Sequence, residues 1–198
     1  MRSIPTLHNG VQFRSRLEAK WAAFFDILGW QWIYEPFDAD GYIPDFLIKG
    51  NRPLLVEIKP AISLKDFQAP AGKAIAGLRS YWNSDILILG ADALPAIDDY
   101  CHDQPPAGWV GEFQSPDGEW DFDIARWFDC RECGRTSVFH QTGSYAGRPC
   151  GCYDGDHHLG HSSTTCLQFD WREASNIVQW NRPTIEYSNH QQLKRINR

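Results

Sequence analysis

Between residues 15 and 29 the apolar positions follow a helical period. Leu17, Trp21, Phe24, Phe25 and Leu28 share one stripe and Gly29 is a natural stop, so a helix is predicted there. The period then changes. Trp30 to Tyr34 reads as a strand ended by Glu35-Pro36, and Tyr42 to Ile48 as a second strand closed by Gly50-Asn51. Pro53 to Lys59 reads as a third, whose nearly continuous apolar run suits a buried central strand. After Pro60 a helix is predicted from about Ala71 to Trp82, then a fourth strand, Asp85 to Leu89, ending at Gly90. Helix, three strands, helix, strand is the order of an α/β sandwich with a mixed sheet.

Beyond this the pattern weakens. Pro105, Pro106, Gly108, Pro116 and Gly118 break up residues 96–129, which read as a connecting segment with one or two short strands, Trp109 to Phe113 among them. Residues 130–166 are rich in Cys, His and Gly, carry little apolar periodicity and need a staple to fold. Residues 167–198 read as a terminal helix, from Phe169 to about Trp180, and a polar tail expected to be disordered. The predicted organisation is therefore a core over 1–95, a connection over 96–129, a metal-binding module over 130–166 and a C-terminal helix with its tail.

Composition adds limits. Of 198 residues, 42% are hydrophobic and 22% charged, as in an ordinary folded protein. The nine tryptophans are expected to fill cores rather than to stack on bases. A net charge of −6 argues against tight nonspecific binding to DNA, though a local positive surface is all that a phosphate substrate requires. No apolar run suits a signal peptide or a membrane span, and six cysteines without a secretion signal point to metal ligands and thiols; a cytoplasmic location is expected.

The chemistry concentrates in Pro44-Asp45 and Glu57-Ile58-Lys59. Asp45 and Glu57 sit on neighbouring predicted strands, so their carboxylates can converge as hard oxygen ligands for magnesium. Glu57 and Lys59 are two apart and share a face, while the carbonyl of Ile58 lies beside them as a further ligand. A Pro-Asp pair alone is usually a turn, and Glu-x-Lys alone a surface pair. Inside an apolar strand, however, two charged residues need partners. Glu18 is ambiguous: Ser15-Arg16-Leu17-Glu18 fits a capping box, and the same carboxylate could serve a site. Arg14, Arg16 and Lys73 are candidate phosphate contacts, though each reads more readily as an ordinary solvated charge, and His8 is a weaker candidate.

The array Phe13-Arg14-Ser15-Arg16-Leu17-Glu18, then Pro44-Asp45, then Glu57-Ile58-Lys59 resembles the PD-(D/E)XK nuclease superfamily, over roughly residues 8 to 90. The resemblance implies a restriction-endonuclease-like fold, with a resolvase or transposon-end nuclease as the nearest type, and a phage or mobile-element origin. It implies a metal-dependent DNA endonuclease in which Glu18, Asp45, Glu57 and Ile58 bind Mg2+ or Mn2+ and Lys59 orients the attacking water. Whether Lys59 is also the base stays open.

Cys130-Arg-Glu-Cys133 and Cys150-Gly-Cys152 form two pairs separated by sixteen residues, the arrangement of a zinc-ribbon-like module with a structural Zn2+. The second pair has one intervening residue where two are usual, so the fourth ligand is Cys152 or one of His157, His158 and His161. Cys101 and Cys166 read as structural. The expected partner is DNA, with a homodimer or a larger nucleoprotein assembly as the setting and no membrane. The alternative function is a DNA- or protein-binding adaptor acting through the zinc module.

Overall fold

A computed structural model describes residues 3–96, 103–114, 118–142, 152 and 159–179. A short hairpin opens the chain, β1 (Thr6–His8) and β2 (Val11–Phe13), followed by α1 (Arg16–Ile27), β3 (Trp32–Tyr34), β4 (Phe46–Ile48) and β5 (Leu54–Ile58). A single 3-10 turn, Leu64–Phe67, leads into α2 (Gln68–Leu78), then β6 (Asp85–Leu89), β7 (Pro106–Gln114), β8 (Glu119–Cys130), β9 (Thr136–His140), β10 (Leu159–Gly160) and α3 (Thr164–Gln179).

Eight strands form one sheet in the order β10-β8-β7-β6-β5-β4-β3, with β9 also on β8. β5 and β6 run parallel and every other pair is antiparallel, so the expected α/β architecture with a mixed sheet is present. Alternation along the strands divides the core in two. Leu54, Val56, Ile58, Leu87 and Leu89 pack with Trp21, Phe24 and Phe25 of α1 and Trp171 of α3. Leu55, Ile86 and Ile88 pack with Ala71, Ala74 and Leu78 of α2. Trp21 and Trp171 join α1 to α3, with ring centroids 4.6 Å apart. Among the described residues no helix is long and apolar enough to cross a membrane.

The helix stop at Gly29 has a local cause. Gly29 takes φ +69, its N–H reaches the Asp26 carbonyl, and Trp30 N–H reaches the Phe25 carbonyl at 2.8 Å, which together satisfy carbonyls at the end of α1. Other predicted bounds shift. β4 begins only at Phe46, because Gly41 and Asp40 adopt positive φ and Ala39 pairs with Tyr42 in a tight turn before it. α2 starts at Gln68, ahead of the predicted Ala71, and holds Pro70 in its first turn, where the missing N–H is no loss. α3 likewise starts earlier than predicted, at Thr164, with the Ser163 hydroxyl accepting from Cys166 N–H. Trp180 and the tail lie outside the described residues.

The largest correction concerns the predicted connection. β7 and β8 are long strands of the main sheet, not short strands in a linker. Gly108 and Gly111 look like breakers in sequence but lie inside β7. A Cβ at Gly108 would meet the Ile88 carbonyl oxygen at 2.2 Å, and one at Gly111 would strike the Phe122 ring at 2.5 Å. Both are glycine because a neighbour fills the side-chain space. β8 carries Trp127 into the core beneath α1, with its indole N–H bonded to the Ala93 carbonyl at 2.8 Å. The buried tryptophans 21, 30, 120, 127 and 171 are thus core residues, and the first four also donate an indole N–H to a backbone carbonyl.

Candidate functional site

The parallel pair fixes where a site can form. β5 and β6 end at the same sheet edge, and Lys59 N–H bonds the Leu89 carbonyl at 2.9 Å just beyond them. In open mixed sheets such carboxyl ends leave a crevice. Asp45, Glu57 and Lys59 meet there.

Phe46 pairs with Val56, so Asp45 stands directly opposite Glu57 one step further along, and residues in that relation bring their side chains together on one face. Both are buried, at 4% and 6% exposure. Asp45 Oδ2 accepts from Ile58 N–H at 2.7 Å, which ties the start of β4 to the end of β5. Glu57 Oε1 is paired with Lys59 Nζ, and Glu57 Oε2 is buried with no hydrogen-bond partner among the described residues. Burial first, then the facing Glu57 carboxylate, raises the Asp45 carboxyl to about 7, against the opposing pull of Ile58 N–H and Lys59. Glu18 adds to the same field.

Glu18 itself is in the first turn of α1 and half of a capping box is present: its N–H donates to Ser15 Oγ at 3.1 Å. Its carboxylate does not close the box on the Ser15 backbone. Oε1 accepts from Ser15 Oγ at 2.7 Å and Oε2 from the Tyr34 hydroxyl at 2.5 Å. Burial, then that bond to Glu18, raises the Tyr34 phenol to about 12, so Tyr34 remains a donor at neutral pH.

Three further residues complete the surroundings. The Tyr42 ring packs on Gly77 of α2, and burial, then the charge of Glu57 and the approach of its carboxylate to the hydroxyl, then the Asp45 charge, push the phenol above the ordinary range. Arg14 bridges Glu35 and Asp45, through Nε to Glu35 Oε1 at 2.8 Å and Nη2 to Asp45 Oδ1 at 2.9 Å. Glu35 is held at φ +46, an uncommon conformation for its residue type. Sequence reasoning missed Tyr34, Tyr42 and Glu35, since nothing in their spacing marks them.

The other candidates fall elsewhere. Arg16 and Lys73 are exposed on α1 and α2. His8 is buried and serves the fold: its Nε2 pairs with Asp26 Oδ2 at 2.8 Å, and Asp26 also accepts from Asn9 Nδ2 and Trp32 Nε1. That cluster pins the β1–β2 hairpin to the end of α1. The hairpin escaped prediction although Asn9-Gly10, both at positive φ, is a strong turn signal.

A second cluster lies at the far end of β8. The Sγ atoms of Cys130, Cys133 and Cys152 lie within 4.8 Å of one another, and the group could hold a metal ion. Cys130 ends β8, Gly134 turns at φ +70, and Gly134 N–H returns to the Cys130 carbonyl at 2.7 Å, forming a knuckle that leads into β9. The neighbouring Cys133 thiol and partial burial hold the Cys152 thiol up to about 12 without a metal. Thiolates around zinc sit about 3.8 Å apart at a bond length of about 2.3 Å, a spacing this group can reach. Cys150, His157, His158 and Cys101 lie outside the described residues. His161 is exposed and not part of the group, and Cys166 is exposed on α3 rather than structural in a core.

No family model matches the chain, and neither a curated protein nor a solved structure matches it.

Proposed function

We propose that the chain is a metal-dependent DNA endonuclease of the PD-(D/E)XK kind, built on a restriction-endonuclease-like core. The observation that carries this reading is the buried, directly opposed pair Asp45 and Glu57, with one carboxylate oxygen unpartnered among the described residues and Lys59 on the same face. Two facing buried carboxylates oppose folding, so their presence favours a cation as the missing partner. Hard oxygens alone fit magnesium or manganese.

Asp45, Glu57 and the Ile58 carbonyl would hold the ion, with Glu18 beside them. When bound, it supplies Lewis-acid polarisation of a phosphate and a more acidic water. Lys59 then orients that water and offsets negative charge on the phosphate. Tyr34 holds Glu18, and Ile58 N–H holds Asp45, so both carboxylates are aimed before substrate arrives. A structural zinc is proposed on Cys130, Cys133 and Cys152, with Cys150 as the fourth ligand. The adaptor reading has no comparable observation in its favour.

The test is incubation of the purified chain with Mg2+ or Mn2+ and linear, single-stranded, branched and mismatched DNAs, with RNA as a further arm. Cleavage that needs the ion and disappears in Glu57→Ala, with the far-UV circular dichroism spectrum kept, is the expected result. Full activity in Glu57→Ala refutes the assignment.

A further inference from the structure

Arg14 occupies an unusual position. It follows β2 and precedes Ser15, the N-cap of α1, and its backbone is fixed from two sides. Its N–H donates to the Tyr34 hydroxyl at 3.0 Å, and its carbonyl accepts from Ser3 Oγ. The side chain is 54% exposed, while the Asp45 side chain it reaches is 5% exposed. One end of this ion pair is therefore rigid and buried, and the other is a long side chain arriving from solvent.

That pair occupies the proposed metal ligand. Asp45 Oδ2 is taken by Ile58 N–H and Oδ1 by the Arg14 guanidinium. A guanidinium and a divalent cation drawn to the same carboxylate repel each other, so one weakens the hold of the other. The planar guanidinium fork suits phosphate as well as it suits carboxylate. Its Nε stays paired with Glu35, which would keep the released fork above the crevice.

We infer that Arg14 exchanges partners: it holds Asp45 in the metal-free chain and binds a phosphate oxygen of the substrate strand once a divalent ion takes the carboxylates. The inference rests on the metal-nuclease reading above. It makes Arg14 both a brake on metal entry and a phosphate contact, two effects of opposite sign on two ligands.

The opposite signs make the test sharp. Mn2+ binding to metal-free protein is measured by calorimetry for wild type, Arg14→Gln and Glu57→Ala. Binding of a short DNA duplex, with Ca2+ in place of Mg2+, is measured across a salt series. Arg14→Gln should bind Mn2+ about fivefold tighter, the scale of losing one half-exposed ion pair. The same variant should bind the duplex more weakly, with the slope of log affinity against log salt reduced by about one. Arg14→Lys should recover the salt slope but not the full affinity, since it keeps the charge and loses the fork. A purely structural Arg14 would shift the melting temperature and move neither ligand in this way. Unchanged or weaker Mn2+ binding in Arg14→Gln, with Glu57→Ala binding none, overturns the exchange and leaves the metal site standing. Tighter Mn2+ binding with an unchanged salt slope overturns the phosphate contact. Wild type that binds no Mn2+ overturns the metal reading and the exchange together.

Discussion

Replacing Asp45 by Asn should make the metal-free protein more stable near neutral pH, because it removes a charge the fold holds at a cost. The Asp45 carboxyl titrates at about 7 instead of its ordinary 3.8, through burial and the facing Glu57. An acid whose folded value is raised binds more protons folded than unfolded across that window. Stability therefore falls as pH rises from about 4 to about 7, and the full penalty stands above it. Roughly three decades of proton affinity, at about 1.4 kcal/mol each, set a ceiling of about 4 kcal/mol. Asn keeps an oxygen for Ile58 N–H but loses the charged contact with Arg14, which the raised carboxyl does not already include, a loss of about 2 kcal/mol. The net gain is about 2 kcal/mol, or about 4 to 8 °C in melting temperature for a chain of this size. Melts in chelator at about pH 8 and about pH 5 read it directly: the gain should be present at the higher pH and vanish at the lower. Added Mn2+ should raise the wild-type melting temperature and leave the variant unmoved. A metal-free Asp45→Asn protein that melts below wild type at about pH 8, or gains equally at both pH values, refutes the reasoning.

Three further outcomes are expected. Glu18→Gln should lose most activity with a stability change below about 1 kcal/mol, because Ser15 still caps α1; kept activity with a clear drop in melting temperature would reduce Glu18 to a helix cap. Cys133→Ser should lose the one zinc per chain that elemental analysis is expected to find, and should lower the melting temperature of the whole sheet, since β8 joins the cluster to the main core; a loss confined to local protease sensitivity would show the module to be separable. Gly108→Ala should destabilise by about 2 to 3 kcal/mol, because the new Cβ meets the Ile88 carbonyl; a wild-type melt would contradict the register of β7.

What the sequence revealed depended on whether an element's partner was local. α1 showed itself through Leu17, Trp21, Phe24 and Phe25 and its stop at Gly29, and β5 and β6 through nearly continuous apolar runs. The charged residues of the site stood out because they interrupt one of those runs. β7 and β8 did not show, because Gly108 and Gly111 answer to Ile88 and Phe122 across the sheet, and local reading takes a glycine as a break. Tyr34 and Tyr42 were equally hidden, and so was the pairing of Arg14 with Asp45. Their partners lie far along the chain, Asp45 being 31 residues from Arg14, and only the pairing of β3, β4 and β5 brings them together.

The position of β7 also bears on any attempt to trim the chain to its first 95 residues. Leu87, Ile88 and Leu89 of β6, each fully buried, pair with Val110, Trp109 and Gly108 of β7. Cutting β7 away would turn β6 into a bare edge: an apolar strand, charged only at Asp85 where it begins, with a row of unpaired N–H and C=O groups open to pairing with other chains. Such an edge invites aggregation, so the shortest piece that keeps the carboxylate site should precipitate before it can be assayed.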